Sequence, residues 1–593
     1  MNGLRILVAI KQVTQADFAD FDASGRMVRP PEDQGLNPFC RRAIATGVTL
    51  ANQHGGTCSV VSMGPPSATQ ILQEALAVGA HHAYLLSDPR FAGSDALATA
   101  EVLARFIQTR SHPWDLILTG RFAIDANTGL VGVQLAEFLG LPYAGAAKQL
   151  DLDDNSLLLN TELDDGVRSI RVALPAVVAV AERICVPAKA SPDAIEAVAV
   201  TTIQRLDADD LGFTHGSPSS RTRVNHIRHA SLQRLNIVID GATELDKALA
   251  LLSDRLLTTD QAPTSQPVTT FSLARVAYLC DPDQPALNEQ LVTYLLNGCA
   301  SNDAQLTVLA FPTTAQTTPR AFLGAHHLVC LNGSRLEDDL APVIAEWLQN
   351  HPQQLVVAPA TSYGRELGGR LGVTLDAGVL TDLDRLTITE PPTITGWKSV
   401  GSVASVAEVS TTTAIGIALL RPRGAPPIDG LVPTEPTRSV LTVPERGRVS
   451  LAGTPETQDV AQFANAPLVL AVGAGVTSDA LTDIYQLAAT IDAEVGCTRK
   501  IADLGLLPRS RQIGITGRSI SPRLYIGVGT RGSHNHLSGV SGAGTTVNLT
   551  QSPPLGDPGV DLTIVGDWHQ TLPPIIAQLR FLLERSTPTP PRR

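Results

Sequence analysis

Pro522-Arg523-Leu524-Tyr525-Ile526-Gly527-Val528-Gly529 runs through Thr530-Arg531 into Gly532-Ser533-His534-Asn535-His536-Leu537-Ser538-Gly539. A short apolar run that breaks into a glycine-rich turn reads as a strand exposing backbone N–H groups at its carboxyl end. In open α/β sheets that end is where nucleotides bind. A second such turn is Gly473-Ala474-Gly475, after the strand read at Leu468–Val472 and before a helix read at Asp479–Ile491. The third glycine of the dinucleotide fingerprint is missing there, so this turn is weak alone. Arg499, in Gly496-Cys497-Thr498-Arg499, is a surface residue by default. Beside two glycine turns it could equally offset an anionic flavin or pyrophosphate. The density of glycine, two histidines, Thr516 and Arg499 favours a nucleotide site over a plain turn.

Working outward, the same alternation fills the chain. Strands are read at Ile6–Ile10, Cys58–Met63, Ala83–Ser87 and Leu116–Thr119, with helices at Cys40–His54, Thr69–Val78, Asp95–Gln108 and Val131–Leu139. Short aliphatic runs bounded by Gly and Pro, separated by amphipathic helices, predict a parallel sheet. Asp164-Asp165-Gly166 predicts a hairpin between two further strands. The pattern restarts at Arg275–Leu279. Asp115-Leu116-Ile117-Leu118 with its helix ending Leu139-Gly140 is echoed by Gln354-Leu355-Val356-Val357 with a helix ending Leu371-Gly372. This echo predicts two homologous α/β domains in one chain. Pro187–Ser231 shows no clear elements.

Two loops in the first block attract attention. Asn37-Pro38-Phe39-Cys40 opens a helix, with Asn37 as the capping residue in the plain reading. Gly120 to Gly132 is a strand-to-helix loop carrying Asp125, Thr128 and Gly129 near a helix N-terminus, which suits phosphate. No Ser-His-Asp arrangement, carboxylate pair or metal triad stands out.

The composition narrows the class. At 593 residues several domains are expected. The net charge of −12 argues against a nucleic-acid coat or a polybasic membrane binder. No run reaches the ~18 apolar residues that span a bilayer, and the amino-terminal apolar run reads as a strand, not a signal peptide. Seven scattered cysteines without Cys-x-x-Cys point to no metal framework and to a reduced cytoplasm.

These residues resemble the electron transfer flavoproteins, with the β and α subunits fused and β first. The resemblance rests on Ile6-Leu7-Val8-Ala9-Ile10-Lys11, Asn37-Pro38-Phe39-Cys40, Ala123-Ile124-Asp125 with Thr128-Gly129 and Val131-Gly132, and Leu174-Pro175-Ala176-Val177-Val178. Towards the carboxyl end it rests on Arg365–Leu371, Gln512 to Arg518 and the Gly529–Gly539 loop. It implies an α/β fold of three domains. Two are related open parallel-sheet α/β domains of the adenine nucleotide hydrolase kind, and the third is a doubly wound FAD-binding domain. The implied layout is a β-like domain (1–257), a linker (258–270), an α N-terminal-like domain (271–423), a linker (424–464), an FAD domain (465–585) and a disordered tail (586–593).

The resemblance implies FAD contacts from Gly473, Gly475, Thr498, Arg499, Gln512, Ile513, Gly514, Thr516, Gly517, Gly529, Gly532, Ser533, His536, Thr550 and Asp561. Arg499 would stabilise reduced, anionic flavin, Thr516 would lie near flavin N5, and His536 near the pyrimidine carbonyl. It implies a β-side nucleotide site, holding AMP or a second FAD, from Ala9, Asn37, Phe39, Cys40, Met63, Asp125, Asn127, Thr128, Gly129 and Val131. Ala474, Ile515 and Arg518 replace the family's usual Arg, Gln and Lys; Leu130 and Asn127 replace Gln and Asp; Thr550 stands where Asn is usual. The implied function is electron carriage through FAD, from flavin or other dehydrogenases to a membrane quinone oxidoreductase or similar acceptor. The segment matching the family's partner-docking loop, Pro187–Glu196, carries one Lys and no basic run, so the implied donor is not a standard acyl-CoA dehydrogenase. A flavin-bifurcating, NADH-oxidising protein and a non-redox nucleotide binder are the alternatives.

Overall fold

The strands Arg5–Ala9, Thr57–Met63 and Leu116–Gly120 are built around short aliphatic runs and are almost wholly buried. Strands covered on both faces need no polar side, so they read as continuous apolar runs and pair in parallel. The computed structural model describes residues 3–14, 33–110, 113–213, 220–229, 234–258, 271, 274–300, 304–311, 322–389, 393–399, 405–421, 434–453, 456–457, 461–464, 466–514, 517–518, 520–540, 542–554 and 559–586. The expected linker 258–270 (beyond Thr258), the tail after Ser586, and Ile515 and Thr516 lie outside these residues.

The chain forms two compact units. The first, Met1–Ile227, Thr269–Lys398 and Ala407–Thr457, holds two large sheets. One runs Ile203–Leu206, His82–Leu86, Thr57–Met63, Arg5–Ala9, Leu116–Gly120, Ala176–Val180, Tyr143–Asp153, all parallel, and continues antiparallel through Ser156–Glu162 and Gly166–Ala173. The other runs His327–Gly333, Gln305–Ala310, Arg275–Leu279, Leu355–Pro359, Gly416–Leu420, Gly378–Leu383, also parallel. The connectivity is the same in both. The first strand is central, the next two step to one side, the fourth pairs on the other side. A last strand returns after an antiparallel excursion to lie between the fourth and fifth. The echo in the sequence is a true duplication of architecture, and the chain is α/β as expected.

The two domains meet through equivalent helices, Val131–Leu139 and Ser362–Thr374. A Cβ at Gly369 would lie 2.4 Å from Val133 Cγ1, so only glycine permits this approach. Arg370, with no exposed surface, bonds Glu366 (2.9 Å) and Asp338 (3.2 Å) within its own domain and Glu137 (3.2 Å) across the junction.

The second unit, Arg228–Val268, Ser399–Val406 and Gln458–Arg593, carries a parallel sheet ordered Ile237–Asp240, Leu562–Val565, Thr545–Thr550, Leu524–Val528, Leu468–Val472, Glu494–Cys497. Here the expected boundaries shift. The β-like part was expected to run to 257, yet Ile237–Asp240 extends this sheet. The helix Leu245–Thr258 packs on Trp568–Ser586, with Gln578 Nε2 donating to Ser253 Oγ at 3.0 Å. The expected linker 424–464 is also not plain connector. Thr437–Val443 adds an edge strand parallel to His327–Gly333, and Val449–Leu451 pairs with Gly166–Ala173. Within the featureless stretch after Pro187, Ile203–Leu206 extends the first sheet. Among the described residues no helix is long and apolar enough to cross a membrane.

Candidate functional site

In the second unit, the chain enters at Leu468–Val472, steps to Glu494–Cys497 on one side, and crosses to Leu524–Val528 on the other. That reversal makes a crevice at the carboxyl ends of the two central strands, where ligands bind in such sheets. The glycine turns are brought to it. Gly473 N–H donates to Val528 O (2.8 Å) and Gly475 N–H to Gly529 O (2.9 Å). A Cβ at Gly473 would fall 2.4 Å from Gly529 O, so the two turns touch main chain to main chain. Gly529 and Gly532 have φ of +63° and +66°, a region open to glycine.

The neighbouring turns join the same edge. Thr498 N–H donates to Val472 O (2.9 Å) and Ile513 N–H to Cys497 O (2.9 Å). Arg499 is about one third exposed, and its Nε lies 3.4 Å from Asp503. Gln512 is fully buried. Gly514 has φ +130° beside Asn535 O, and a Cβ on Gly517 would meet Gln512 O at 2.3 Å. Ser533 O accepts from His536 N–H (3.0 Å). Thr550 closes its strand at this edge, with its hydroxyl donating to Ser552 O.

Two expected contacts are placed otherwise. Asp561 lies at the amino end of its strand, opposite the glycine turns. There it is buried against Arg234 (2.9 Å) and Arg255 (3.0 Å) and accepts from Thr546 N–H (2.9 Å). A buried carboxylate goes where cations and N–H groups satisfy it. His536 is buried, neither facing solvent nor offering a free ring nitrogen. Its Nδ1 lies 3.1 Å from Ile513 O and its Nε2 2.6 Å from the Tyr525 hydroxyl. Since the carbonyl can only accept, Nδ1 carries the proton and Nε2 accepts from Tyr525. Burial pushes the ring's pKa down to about 4. His536 is thus a neutral strut tying the glycine loop to Ile513. Tyr525, its partner, was missed because an inward strand tyrosine reads as core.

In the first unit the equivalent crevice lies between Arg5–Ala9 and Leu116–Gly120. Ala9 and Met63 end their strands here. Asn37 precedes the helix Pro38–Gln53 without capping it. Its Nδ2 instead donates to Phe122 O (2.8 Å) and reaches Cys40 Sγ (3.3 Å). Phe39 stacks edge-on against Phe122 at 5.9 Å. Burial raises the Cys40 thiol's pKa, so it stays protonated. Asp125 pairs with Lys11 at 2.8 Å. Asn127 and Gly129 both adopt left-handed φ, +51° and +67°, on either side of Thr128, and Val131 starts the next helix. Asn37 Oδ1, Ser62 Oγ and Thr119 Oγ1 are buried and lack a hydrogen-bond partner. Buried polar atoms left so are costly unless something else satisfies them. Ser62 and Thr119 escaped the sequence reading because a lone hydroxyl near a strand's end carries no motif.

Both crevices therefore fit nucleotide-type ligands: one by its glycine turns, the other by its unsatisfied buried acceptors and hydroxyls. The electron transfer flavoprotein domain matches residues 27–211 and 297–445, one family covering both duplicated domains, and the electron transfer flavoprotein FAD-binding domain matches residues 462–541. The chain belongs to the electron transfer flavoprotein family. It is 32% identical over 258 residues to an electron transfer flavoprotein subunit beta of Thermoanaerobacterium thermosaccharolyticum, covering 43% of this chain and 98% of the relative. It is 33% identical over 255 residues to CarD, a caffeyl-CoA reductase-Etf complex subunit of Acetobacterium woodii (42% and 97%). It is 34% identical over 186 residues to FixA of Azorhizobium caulinodans (30% and 66%). These beta-type relatives align with less than half of the chain, and the FAD-binding domain lies at its far end, so this electron transfer flavoprotein is a fused beta–alpha polypeptide that carries electrons on FAD.

Proposed function

We propose that this electron transfer flavoprotein carries electrons on a single FAD. It takes them from dehydrogenases and passes them to a quinone oxidoreductase or a similar acceptor, with AMP in the first unit's crevice. The observation that carries the reading is the convergence of the Gly473–Gly475 and Gly529–Ser533 turns on the crevice between Leu468–Val472 and Leu524–Val528. FAD, when bound, supplies the redox chemistry.

The chain's own residues bind and tune the flavin. Gly473, Gly475, Gly514, Gly517, Gly529 and Gly532 keep the main chain free of side chains there. Thr498, Gln512, Ile513, Ser533 and Thr550 complete the lining, and the family resemblance assigns the hydroxyl of Thr516 to the flavin. Arg499 contributes a fixed positive charge that favours the reduced, anionic state. In this reading His536 shapes the loop and Asp561 has no flavin contact. In the first crevice Asn37 Oδ1 serves as an acceptor for an adenine amino group, and the Asp125–Val131 loop holds the phosphate end.

The donor is a dehydrogenase other than a standard acyl-CoA dehydrogenase. Pro192–Glu196 forms one short turn of helix with no buried residue, and the nearby Val186 is 87% exposed. This is an apolar rather than a basic docking feature. The test is mass spectrometry of the released ligands together with the visible spectrum. One FAD and one AMP per chain are expected. Two FAD per chain would replace the reading with a bifurcating, NADH-oxidising one. A colourless protein would leave only nucleotide binding.

A further inference from the structure

We propose that Arg365, contributed by the second α/β domain, is a positioning residue for the nucleotide loop of the first. The inference rests on the first crevice being a nucleotide site. Arg365 Nη1 donates to Thr128 O at 2.9 Å. Thr128 lies between two left-handed residues, Asn127 and Gly129. A non-glycine residue held in that region persists only where its surroundings over-determine it. Asn127 is itself buried, so the loop is fixed from within and from behind.

The grip from behind comes from the second domain at several points. Leu130 is buried in that domain's core with Leu367 and Leu371. The guanidinium of Arg365 lies over the Phe122 ring at 5.5 Å, and that of Arg121 lies over the same ring at 5.1 Å. Arg121 Nη2 also donates to Ser362 Oγ at 3.1 Å. The carbonyl of Phe122 is the one that holds Asn37. Arg365 therefore touches both Thr128, between the two left-handed residues, and the ring of Phe122, the residue whose carbonyl accepts from Asn37 Nδ2.

Arg365 is held in turn. Its Nη2 pairs with buried Asp382, which also accepts from Arg421 Nε (2.7 Å). Arg365 grips the loop directly, whereas Arg421 shares the carboxylate that anchors it. The two arginines thus separate positioning from anchoring. A ligand that needs this loop shape is linked to the docking of the two homologous domains. By reciprocity its binding also tightens that docking.

The test uses the full-length chain with FAD bound and AMP as the probe. Retained AMP and the dissociation rate of radiolabelled AMP are measured well below the melting temperature, with FAD content and melting recorded alongside. Arg365→Ala is expected to release AMP about ten- to a hundredfold faster, the range for one charge-assisted hydrogen bond, with FAD content unchanged. Arg421→Ala removes an Asp382 partner and lowers melting, but is expected to keep AMP dissociation within about twofold of wild type. If Arg365→Ala does not fold, Arg365→Lys keeps the charge beside Asp382 but loses the fork, and an acceleration of at least several-fold is expected. AMP dissociation unchanged in the Arg365 variants, or raised equally by Arg421→Ala, overturns the inference. A wild-type chain that neither carries nor binds AMP overturns the nucleotide reading itself, and the inference with it.

Discussion

Asp281 should make the first unit lose stability as the pH rises, and Asp281→Asn should remove that loss. The residue follows the strand Arg275–Leu279 at the second sheet's crevice and is 3% exposed. Its Oδ2 accepts from the Thr361 hydroxyl (2.7 Å) and its Oδ1 from Asp283 N–H (3.0 Å). Among the described residues no cation pairs with it. Burial, aided by the charges of Asp164 and Asp283, raises its pKa to about 8. An unfolded aspartate titrates near 3.9. Between these values the native state holds a proton that the unfolded chain has lost, so stability falls with rising pH and levels off above about 8. At ~1.4 kcal/mol per pH unit, tapering as the carboxyl half-ionises near pH 8, the stretch from pH 6 to 8 should cost about 2 kcal/mol. The carboxamide of the variant would keep an oxygen for Asp283 N–H and an NH2 group for the Thr361 oxygen, without titrating. Urea midpoints measured at pH 6, 7, 8 and 9 should diverge, the variant gaining on wild type up to pH 8 and holding that lead at pH 9. Parallel curves across this range would refute the reasoning.

Arg370→Ala should strand Glu366, whose ion-pair partner is Arg370, in the domain junction, while Asp338 keeps Arg448 (2.7 Å). Removing one partner of a buried ionic network costs about 3–5 kcal/mol, which denaturant unfolding of the full chain would register. Gly473→Ala would put a methyl group 2.4 Å from Gly529 O, and main chain must move to admit it. FAD per chain, read from its visible flavin absorbance, should fall severalfold while nucleotide in the first unit is retained.

The sheets were legible in the sequence because their strands are short, local and apolar on both faces. The glycine turns were legible because the backbone approach of Gly473 to Gly529 admits no side chain. What could not be read was non-local. Ile237–Asp240 joins Leu562–Val565 from the far side of the whole second α/β domain, and nothing nearby in the sequence announces that pairing. Thr437–Val443 lies in a Pro/Thr-rich region and alternates exposed and half-buried residues, as an edge strand does, so composition masked it. Asn37 reads as a cap by residue type, but the Phe122 carbonyl, 85 residues away, takes its amide. Asp561 and His536 matched a motif by position, while burial and partners decided where their side chains went.

The duplication explains why two like domains can serve different ends. Both sheets reverse strand order beside the first strand, so each creates a crevice at the same place. In the first domain that crevice leaves Asn37 Oδ1, Ser62 Oγ and Thr119 Oγ1 unsatisfied. In the second it is closed by side chains that satisfy one another. Tyr278 donates to Asn288 Oδ1 (2.8 Å), Asn288 Nδ2 donates to Asp281 O (2.7 Å), and Thr361 both donates to Asp281 and caps the next helix through Gly364 N–H. Among the described residues, Tyr278, Asp281, Asn288 and Thr361 leave no buried side-chain atom without a hydrogen-bond partner. The second domain is then free to act as scaffold, and the helix starting at Ser362 carries Arg365 to the first domain's loop. The uncompensated burial of Asp281 is the cost of that closure, which is why its titration should appear in the stability of the whole unit.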